Sequence, residues 1–285
     1  MQFSVTMEKL DESTFVMASG GGRAQLKVWT LSLDENGKLV VAEKSSHLLR
    51  GDDKRRKKTW RENKVIYDTE TRYTDLCLTK EGKTWSVLVG CSDGALRKFW
   101  LDASFKVAKI NEESLDNPHC FLKAISEKGQ VLTSSNDGFV RSWSAENVAL
   151  RKAGRIHKSG INAISRRMND GQFFTAGDDG TISVVEETLD EFKLVNSFPR
   201  SHSAQITGLH LQMVGDVNYL LSCSVDQRIS AWQIVKTEGA MKISQNGQVC
   251  TDVADIQCMA VWNDGDDSVL AVGGEGMAIF KLRHC

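Results

Sequence analysis

A tight turn followed by a strand that ends on an aromatic or apolar residue recurs along this chain. That recurrence constrains the fold more than any other feature. It reads ASGGGRAQLKVW to Trp29, GCSDGALRKFW to Trp100 and SSNDGFVRSW to Trp143. It continues as AGDDGTISVV to Val185, CSVDQRISAW to Trp232 and AVGGEGMAIF to Phe280. Successive ends lie 71, 43, 42, 47 and 48 residues apart. All but the first interval sit at or just above the roughly 40–45 residues of a four-stranded propeller blade. Asp93-Gly94 and Asp137-Gly138 are the turn pairs that favour hairpins between alternating strands. A lone four-stranded sheet leaves its faces uncovered, and packing sheet against sheet around an axis covers them. The expected fold is therefore all-β: a single propeller domain over residues 1–285 with six recognisable four-stranded blades. In the third unit the strands begin near Phe121, Gln130, Phe139 and Val148. Residues 186–192 form the only stretch compatible with a short helical turn.

The best-formed unit runs from His202 to Trp232, with a His at its front, Asp226 in its turn and a Trp at its end. Asp93 and Trp100, and Asp137 and Trp143, repeat the turn-and-Trp pattern, while His157 repeats the leading His. These units resemble WD repeats. In that family a His, a Ser or Thr, the turn Asp and the Trp form a hydrogen-bonded chain that staples each blade. The resemblance assigns a structural staple to His157, His202, Asp93, Asp137, Asp226, Trp100, Trp143 and Trp232, with Ser222 or Ser224 as the hydroxyl beside His202. The physical sense is that a buried indole N–H and a buried carboxylate both need partners. Val185 replaces the Trp of the fourth unit, and Glu275 and Phe280 replace the Asp and Trp of the last, so those two blades are expected to lack the full staple.

The chain begins within the first strand of a blade (QFSVTME) and ends within the third strand of another (MAIFKL). The last blade is thus expected to be incomplete. This suits either a six-bladed ring with one open edge or part of a seven-bladed propeller in a longer protein.

The long first interval comes from an insertion at about residues 49–68, LRGDDKRRKKTWRENKVIYD, read as a loop between the first two blades. It holds Lys54, Arg55, Arg56, Lys57, Lys58 and Arg61 around Trp60. Such a segment can neutralise phosphates and stack a base, which makes these seven residues the candidate RNA contact. A solvated loop and a nuclear-import signal fit the same composition. The formal net charge of −1 gives no global field for nucleic acid, so any anion-binding surface is local.

Catalytic readings lose their context one by one. No Cys or carboxylate stands at ligand spacing from His157 or His202. Ser201-His202-Ser203 has no Gly-x-Ser-x-Gly elbow. Gly20-Gly21-Gly22 and Gly273-Gly274-Glu275-Gly276 lie at strand junctions rather than before helices, so they read as turns and not phosphate cradles. The expectation is a non-enzyme with no catalytic, cofactor-binding or metal-binding residues and no small-molecule substrate. The seven Cys include no CxxC pair and several sit in apolar runs, which suits reduced thiols of a cytoplasmic protein. No apolar run of about 18 residues exists to span a membrane.

Several stretches resemble one branch of the repeat family: ETRYTDLCL (from Glu70), GCSDGALRKFWL (from Gly90), HKSGINAIS (from His157), HSAQITGLHL with SCSVDQRISAW, and TDVADIQCMAVW with VGGEG. Their order is similar to the C-terminal part of the large WD-repeat proteins that partner the eukaryotic tRNA wobble ribose 2′-O-methyltransferase. The resemblance implies a non-catalytic subunit that positions tRNA for a separate methyltransferase. The partners it implies are that methyltransferase subunit and, through the insertion, tRNA. The competing class is a general interaction scaffold, such as an endosomal recycling adaptor or a ubiquitin-ligase substrate receptor. Ligase receptors usually carry Trp-Asp-x-Arg after the blade Trp, whereas here Thr30, Leu101, Ser144 and Gln233 follow the four blade tryptophans.

Overall fold

The structure, a computed structural model, describes residues 4–49, 56–58, 65–67, 71–115, 119–127, 129–166, 168, 170–214, 217–237, 240–264 and 267–282. The first blade contains β1 (Ser4–Lys9), β2 (Thr14–Gly20), β3 (Gln25–Leu33) and β4 (Leu39–Leu48), paired antiparallel in that order. The stretch read as an inserted loop contains a short antiparallel ribbon, β5 (Arg56–Lys58) against β6 (Val65–Tyr67). The second blade follows as β7 (Tyr73–Glu81), β8 (Thr84–Cys91), β9 (Ala95–Leu101) and β10 (Val107–Ser114). The third is β11 (Phe121–Glu127), β12 (Gln130–Ser135), β13 (Phe139–Ser144) and β14 (Leu150–Arg155). The fourth is β15 (Ile161–Ile164), β16 (Phe173–Gly177), β17 (Ile182–Glu187) and β18 (Phe192–Phe198). The fifth is β19 (Ile206–Val214), β20 (Val217–Ser224), β21 (Arg228–Thr237) and β22 (Ala240–Cys250). The sixth is a pair, β23 (Ala254–Asp264) and β24 (Asp267–Leu282).

Three local expectations change. Residues 186–192 are strand, turn and strand, because Thr188 closes a turn with Glu191: its amide and hydroxyl both donate to the Glu191 carbonyl. The 3-10 turn Gly22–Ala24 is the one helical element among the described residues. Strand β14 starts at Leu150, since Val148 holds a positive φ of 57° in the preceding turn. Strand β24 runs unbroken through Gly273–Gly276, where a turn between two strands is expected, so among the described residues the last blade counts two strands rather than three.

The chain divides into two compact units, Met1–Thr133 with Arg141–Arg151 and Ser134–Val140 with Lys152–Cys285. The division passes through β12 and β13 and not through a linker. Within each unit the core lies between successive blades. In the first unit Val16, Ala18, Leu26 and Val28 pack with Val87, Val89 and Phe99. Leu88 and Leu96 face the other way and pack with Phe121, Val131 and Trp143. The apolar run Val87-Leu88-Val89 therefore serves two neighbours, because strand side chains alternate between faces. The second unit repeats this. Ile182 and Val184 pack with Leu220 and Trp232, while Leu221 and Ile229 pack with Leu270 and Val272. Each such fully buried aliphatic or aromatic side chain contributes about 1.5–3 kcal/mol of transfer free energy.

The turn glycines position the chain as it enters the next blade. Gly138 (φ +78°) and Gly180 (φ +65°) accept backbone N–H bonds from His157 and His202 respectively. A Cβ on Gly138 would lie 2.2 Å from the His157 carbonyl oxygen, and one on Gly180 would lie 2.4 Å from that of His202. Only glycine fits both the left-handed backbone and this approach.

Candidate functional site

Two fixed offsets organise the polar groups inside the blades. Counting back from the residue that ends the turn-strand motif, the turn carboxylate lies six positions earlier and a hydroxyl lies ten earlier. The pairs are Asp226 and Ser222 before Trp232, Asp137 and Thr133 before Trp143, and Asp179 and Thr175 before Val185.

The fifth blade brings all four groups together. Trp232 Nε1 donates to Ser222 Oγ at 2.8 Å, and His202 Nε2 lies 2.7 Å from the same oxygen. His202 Nδ1 lies 3.1 Å from both oxygens of Asp226. The Asp226 carboxylate also accepts the amides of Ser203 at 3.0 Å and Arg228 at 3.0 Å. Burial lowers the His202 pKa, so its ring is neutral at pH 7, although Asp226 pulls the other way. A neutral ring with a carboxylate at Nδ1 carries its proton there, leaving Nε2 to accept from Ser222. The Ser222 hydroxyl thus receives the indole proton and donates its own to His202. Burial raises the Asp226 pKa, but the Ser203 amide and His202 outweigh it and hold the carboxyl below its usual range.

The fourth blade has the same arrangement without an indole. His157 Nε2 lies 2.9 Å from Thr175 Oγ1, and its Nδ1 is 3.6 Å from Asp179. Burial again lowers the imidazole pKa, against the pull of Asp179. Val185 fills the aromatic position and is fully buried. In the third blade Trp143, also fully buried, donates to Thr133 Oγ1 at 2.8 Å. Asp137 caps its own turn, accepting from Ser135 Oγ at 2.5 Å and the Phe139 amide at 3.1 Å.

The second blade overturns the pairing of Asp93 with Trp100 as a staple. Trp100 follows Asp93 by seven residues, not six. Side chains alternate along a strand, so this one-residue difference puts Trp100 on the opposite face. Phe99 takes the inner position, fully buried, and Val89 takes the hydroxyl position beside it. Asp93 instead receives a two-pronged bond from the fully buried Arg97, at 3.1 and 2.8 Å, and Arg97 Nε also reaches Glu112 at 2.9 Å. Thr71 donates to Asp93 at 3.4 Å. Trp100 lies under the buried Lys98 ammonium, 3.4 Å from its ring centroid, and its own N–H finds no partner among the described residues. That ammonium caps the carbonyls of Ala145 and Glu146 at 2.6 and 3.0 Å and pairs with Glu81 at 2.7 Å.

The stretch around Tyr73 contains a further polar junction. Asp75, almost fully buried, accepts from Ser4 Oγ at 2.5 Å and from the Ala124 amide at 2.8 Å. It thereby ties the first strands of three successive blades. Burial pushes the Cys91 thiol up to about 12 and raises those of Cys77 and Cys120, so these thiols are protonated at neutral pH.

Of the candidate RNA contacts, Lys54, Arg55, Trp60 and Arg61 lie outside the described residues. Arg56, Lys57 and Lys58 form β5, opposite Tyr67, Ile66 and Val65. Among the described residues no cluster of three or more His, Cys, Asp or Glu could hold a metal ion, and no helix is long and apolar enough to cross a membrane. A shallow recess of about 480 Å³ between the first two blades is walled by Glu43, Lys44, Phe105 and Lys106 among others.

Sequence reasoning missed Thr133, Thr175, Asp179 and Arg97. The ten-residue and six-residue offsets were the available signal for the first three. Residues 153–185 match the family described as "WD domain, G-beta repeat". The fold is a β-propeller of antiparallel blades, and this one stretch matches the WD repeat. The Chaetomium thermophilum Polycomb Repressive Complex 2 structure bound to GSK126 aligns with 99% of this chain and 69% of its own, at TM-score 0.69 and 12% identity. Chaetomium thermophilum Raptor aligns with 98% of this chain and 23% of its own, at TM-score 0.67 and 18% identity. At such identities these are likenesses of fold alone. The chain is also 24% identical, over 93% of its length, to the human tRNA (34-2'-O)-methyltransferase regulator WDR6. It is 25% identical over 93% of its length to the Bos taurus protein of that name, and 23% identical over 77% to the Drosophila melanogaster one. It spans 28% of the length of the human and bovine relatives.

Proposed function

We propose that this chain is a non-catalytic WD-repeat subunit that positions tRNA for 2′-O-methylation of the anticodon wobble nucleotide by a separate methyltransferase. The observation that carries the reading is the similarity, over 93% of the chain, to proteins named as regulators of a tRNA (34-2'-O)-methyltransferase. Its polar clusters support a non-catalytic role: the His–Asp and His–hydroxyl contacts are used up inside the blades, with their partners fixed by packing. The methyltransferase subunit is the protein partner in this reading. The residues from Lys54 to Arg61 supply the phosphate contacts, with Trp60 as the stacking group. The cytoplasm is the compartment, in keeping with described cysteines that are all free thiols.

The test is wobble-ribose methylation in cells that lack the protein. Loss of the modification, restored by re-expression, is the expected result, and full methylation without the protein contradicts the reading. Changing Lys54, Arg55, Arg56, Lys57 and Lys58 to Ala should lower tRNA affinity and flatten its dependence on salt, because fewer counterions are released on binding. An unchanged salt slope removes the insertion from the interface.

A further inference from the structure

The recess between the first two blades has a filled counterpart one blade further on. Thr30 follows Trp29 on β3 and Trp100 follows Phe99 on β9, so the two hold matching positions. Across the sheet Thr30 pairs with Val16 and Trp100 with Ser86. In the second blade Trp100 and the fully buried Lys98 fill the space towards the third. The ammonium lies 3.4 Å from the indole centroid and caps the Ala145 and Glu146 carbonyls of the turn between β13 and β14. In the first blade Val28 and Thr30 stand at those two positions. Val28 is fully buried in the core, and Thr30 has no ring to offer. A hollow of about 480 Å³ is left between Thr30 and the turn that joins β9 to β10. That volume lies within the range of small-ligand sites, about 300–1,000 Å³.

The turn that walls this hollow carries an aromatic ring on a strained backbone. Residues 34–38 and 102–106 are one turn built twice. In each, the amide of the first residue donates to the carbonyl of the fifth at 2.9 Å, and the leading Asp side chain accepts the amides of the third and fifth. The fourth position is left-handed in both, with φ +72° at Gly37 and +62° at Phe105. Glycine suits that backbone, whereas a bulky side chain there is an outlier. The Phe105 ring is partly buried, packs at the edge of the core as Leu10 does, and lines the hollow. Lys44 and Lys106 line it too, both exposed and with no ion pair among the described residues. Glu43 is the one acidic residue of the lining, and Lys27 neutralises it at 2.9 Å. The flanking carboxylates Asp11 and Asp102 accept amides of their own turns.

We propose that this recess takes one unstacked nucleotide of a single-stranded RNA segment, its base against Phe105 and Leu10 and its phosphate between the Lys44 and Lys106 ammonium groups. The space left by Thr30 suits a flat ring, since its counterpart holds an indole under an ammonium. The two unpaired lysines suit an anion, and a nucleotide supplies ring and anion in one unit of chain. Strand β4, which carries Lys44, leads from Leu48 into the basic insertion that holds the other candidate RNA contacts. Loop nucleotides of an RNA hairpin can splay a base in this way, whereas paired ones cannot. The inference rests on the tRNA reading above and gives it a binding place on the first two blades.

Fluorescence anisotropy with a labelled anticodon stem-loop RNA tests it on the full chain. Thr30→Trp gives the first blade the ring that the second already has and fills the hollow. It should weaken binding roughly 5- to 150-fold, the worth of one stacked base. Lys44→Ala with Lys106→Ala should lower the slope of log affinity against log salt by about 0.7, for one phosphate of a single strand. Both lysines are exposed, so this pair keeps the test alive should Thr30→Trp fail to fold by circular dichroism. Unchanged affinity in the folded Thr30→Trp chain, or an unchanged salt slope in the lysine pair, overturns the proposal while RNA binding by the unaltered chain leaves the tRNA reading standing. No binding of the RNA by the unaltered chain overturns both. If the variants bind RNA normally but lose the methyltransferase subunit, the recess is a protein site and the proposal fails.

Discussion

Ser222 stands between an indole and an imidazole, so Ser222→Ala leaves Trp232 Nε1 and His202 Nε2 unsatisfied in a buried site. The expected loss is roughly 2–6 kcal/mol by urea unfolding, from two stranded groups at about 1–3 kcal/mol each. Trp100 and Trp143 give a sharper contrast. Trp143→Phe removes the partner of Thr133 and should cost about 1–3 kcal/mol, whereas Trp100→Phe removes an N–H that has no partner among the described residues and should leave the polar account of the blade unchanged. Equal losses at both sites would contradict the seven-residue offset in the second blade. The lowered pKa values of His157 and His202 fix a pH dependence. Below the ordinary imidazole value of about 6.5 the unfolded chain takes up protons that the folded chain refuses, so stability falls as pH drops through that value. Asp226, held low, adds a second loss in the acid range below about pH 4. The urea midpoint should drop between pH 7.5 and 5.5, and His202→Asn should drop less over that interval. An equal drop in the variant would remove His202 as a source of the dependence.

Single turns set the geometry of whole blades. Gly138→Ala and Gly180→Ala each force a left-handed backbone and drive a methyl into a carbonyl oxygen, whereas Gly37 (φ +72°) has nothing within 4 Å of its would-be Cβ. Gly37→Ala should cost about 1–2 kcal/mol from backbone strain alone, and the other two distinctly more. Thermal unfolding of the three variants ranks them. The strands and turns were legible in the sequence because Asp-Gly pairs and alternating apolar residues report local geometry. The face of a strand was not, because Phe99 and Trp100 are adjacent and only the count from Asp93 separates inside from outside. The Arg97 ion pair was equally hidden, since an arginine in an apolar strand carries no sign of its partner. Gly273–Gly276 misled for another reason. A Cβ on Gly274 would lie 2.5 Å from the Ala254 carbonyl and 2.4 Å from that of Asp255, so this glycine serves close approach within a strand.

Across the chain, the repeat period was enough to name the architecture, while the chemistry inside each blade was beyond it. The interior differs from blade to blade. The fifth holds His202, Ser222, Asp226 and Trp232; the fourth has lost the indole; the third pairs Thr133 with Trp143; the second has Arg97 between Asp93 and Glu112. Chains of near-identical repeats face a hazard during synthesis: a strand can pair with the wrong sheet and trap a swapped arrangement. Here a misplaced strand brings the wrong chemistry with it. The third strand of the second blade, entering the fifth, would bury Arg97 without Glu112 and set Phe99 against a hydroxyl and an imidazole. The departures from one repeating staple thus act as addresses, by which each strand is accepted in its own blade and rejected from the others.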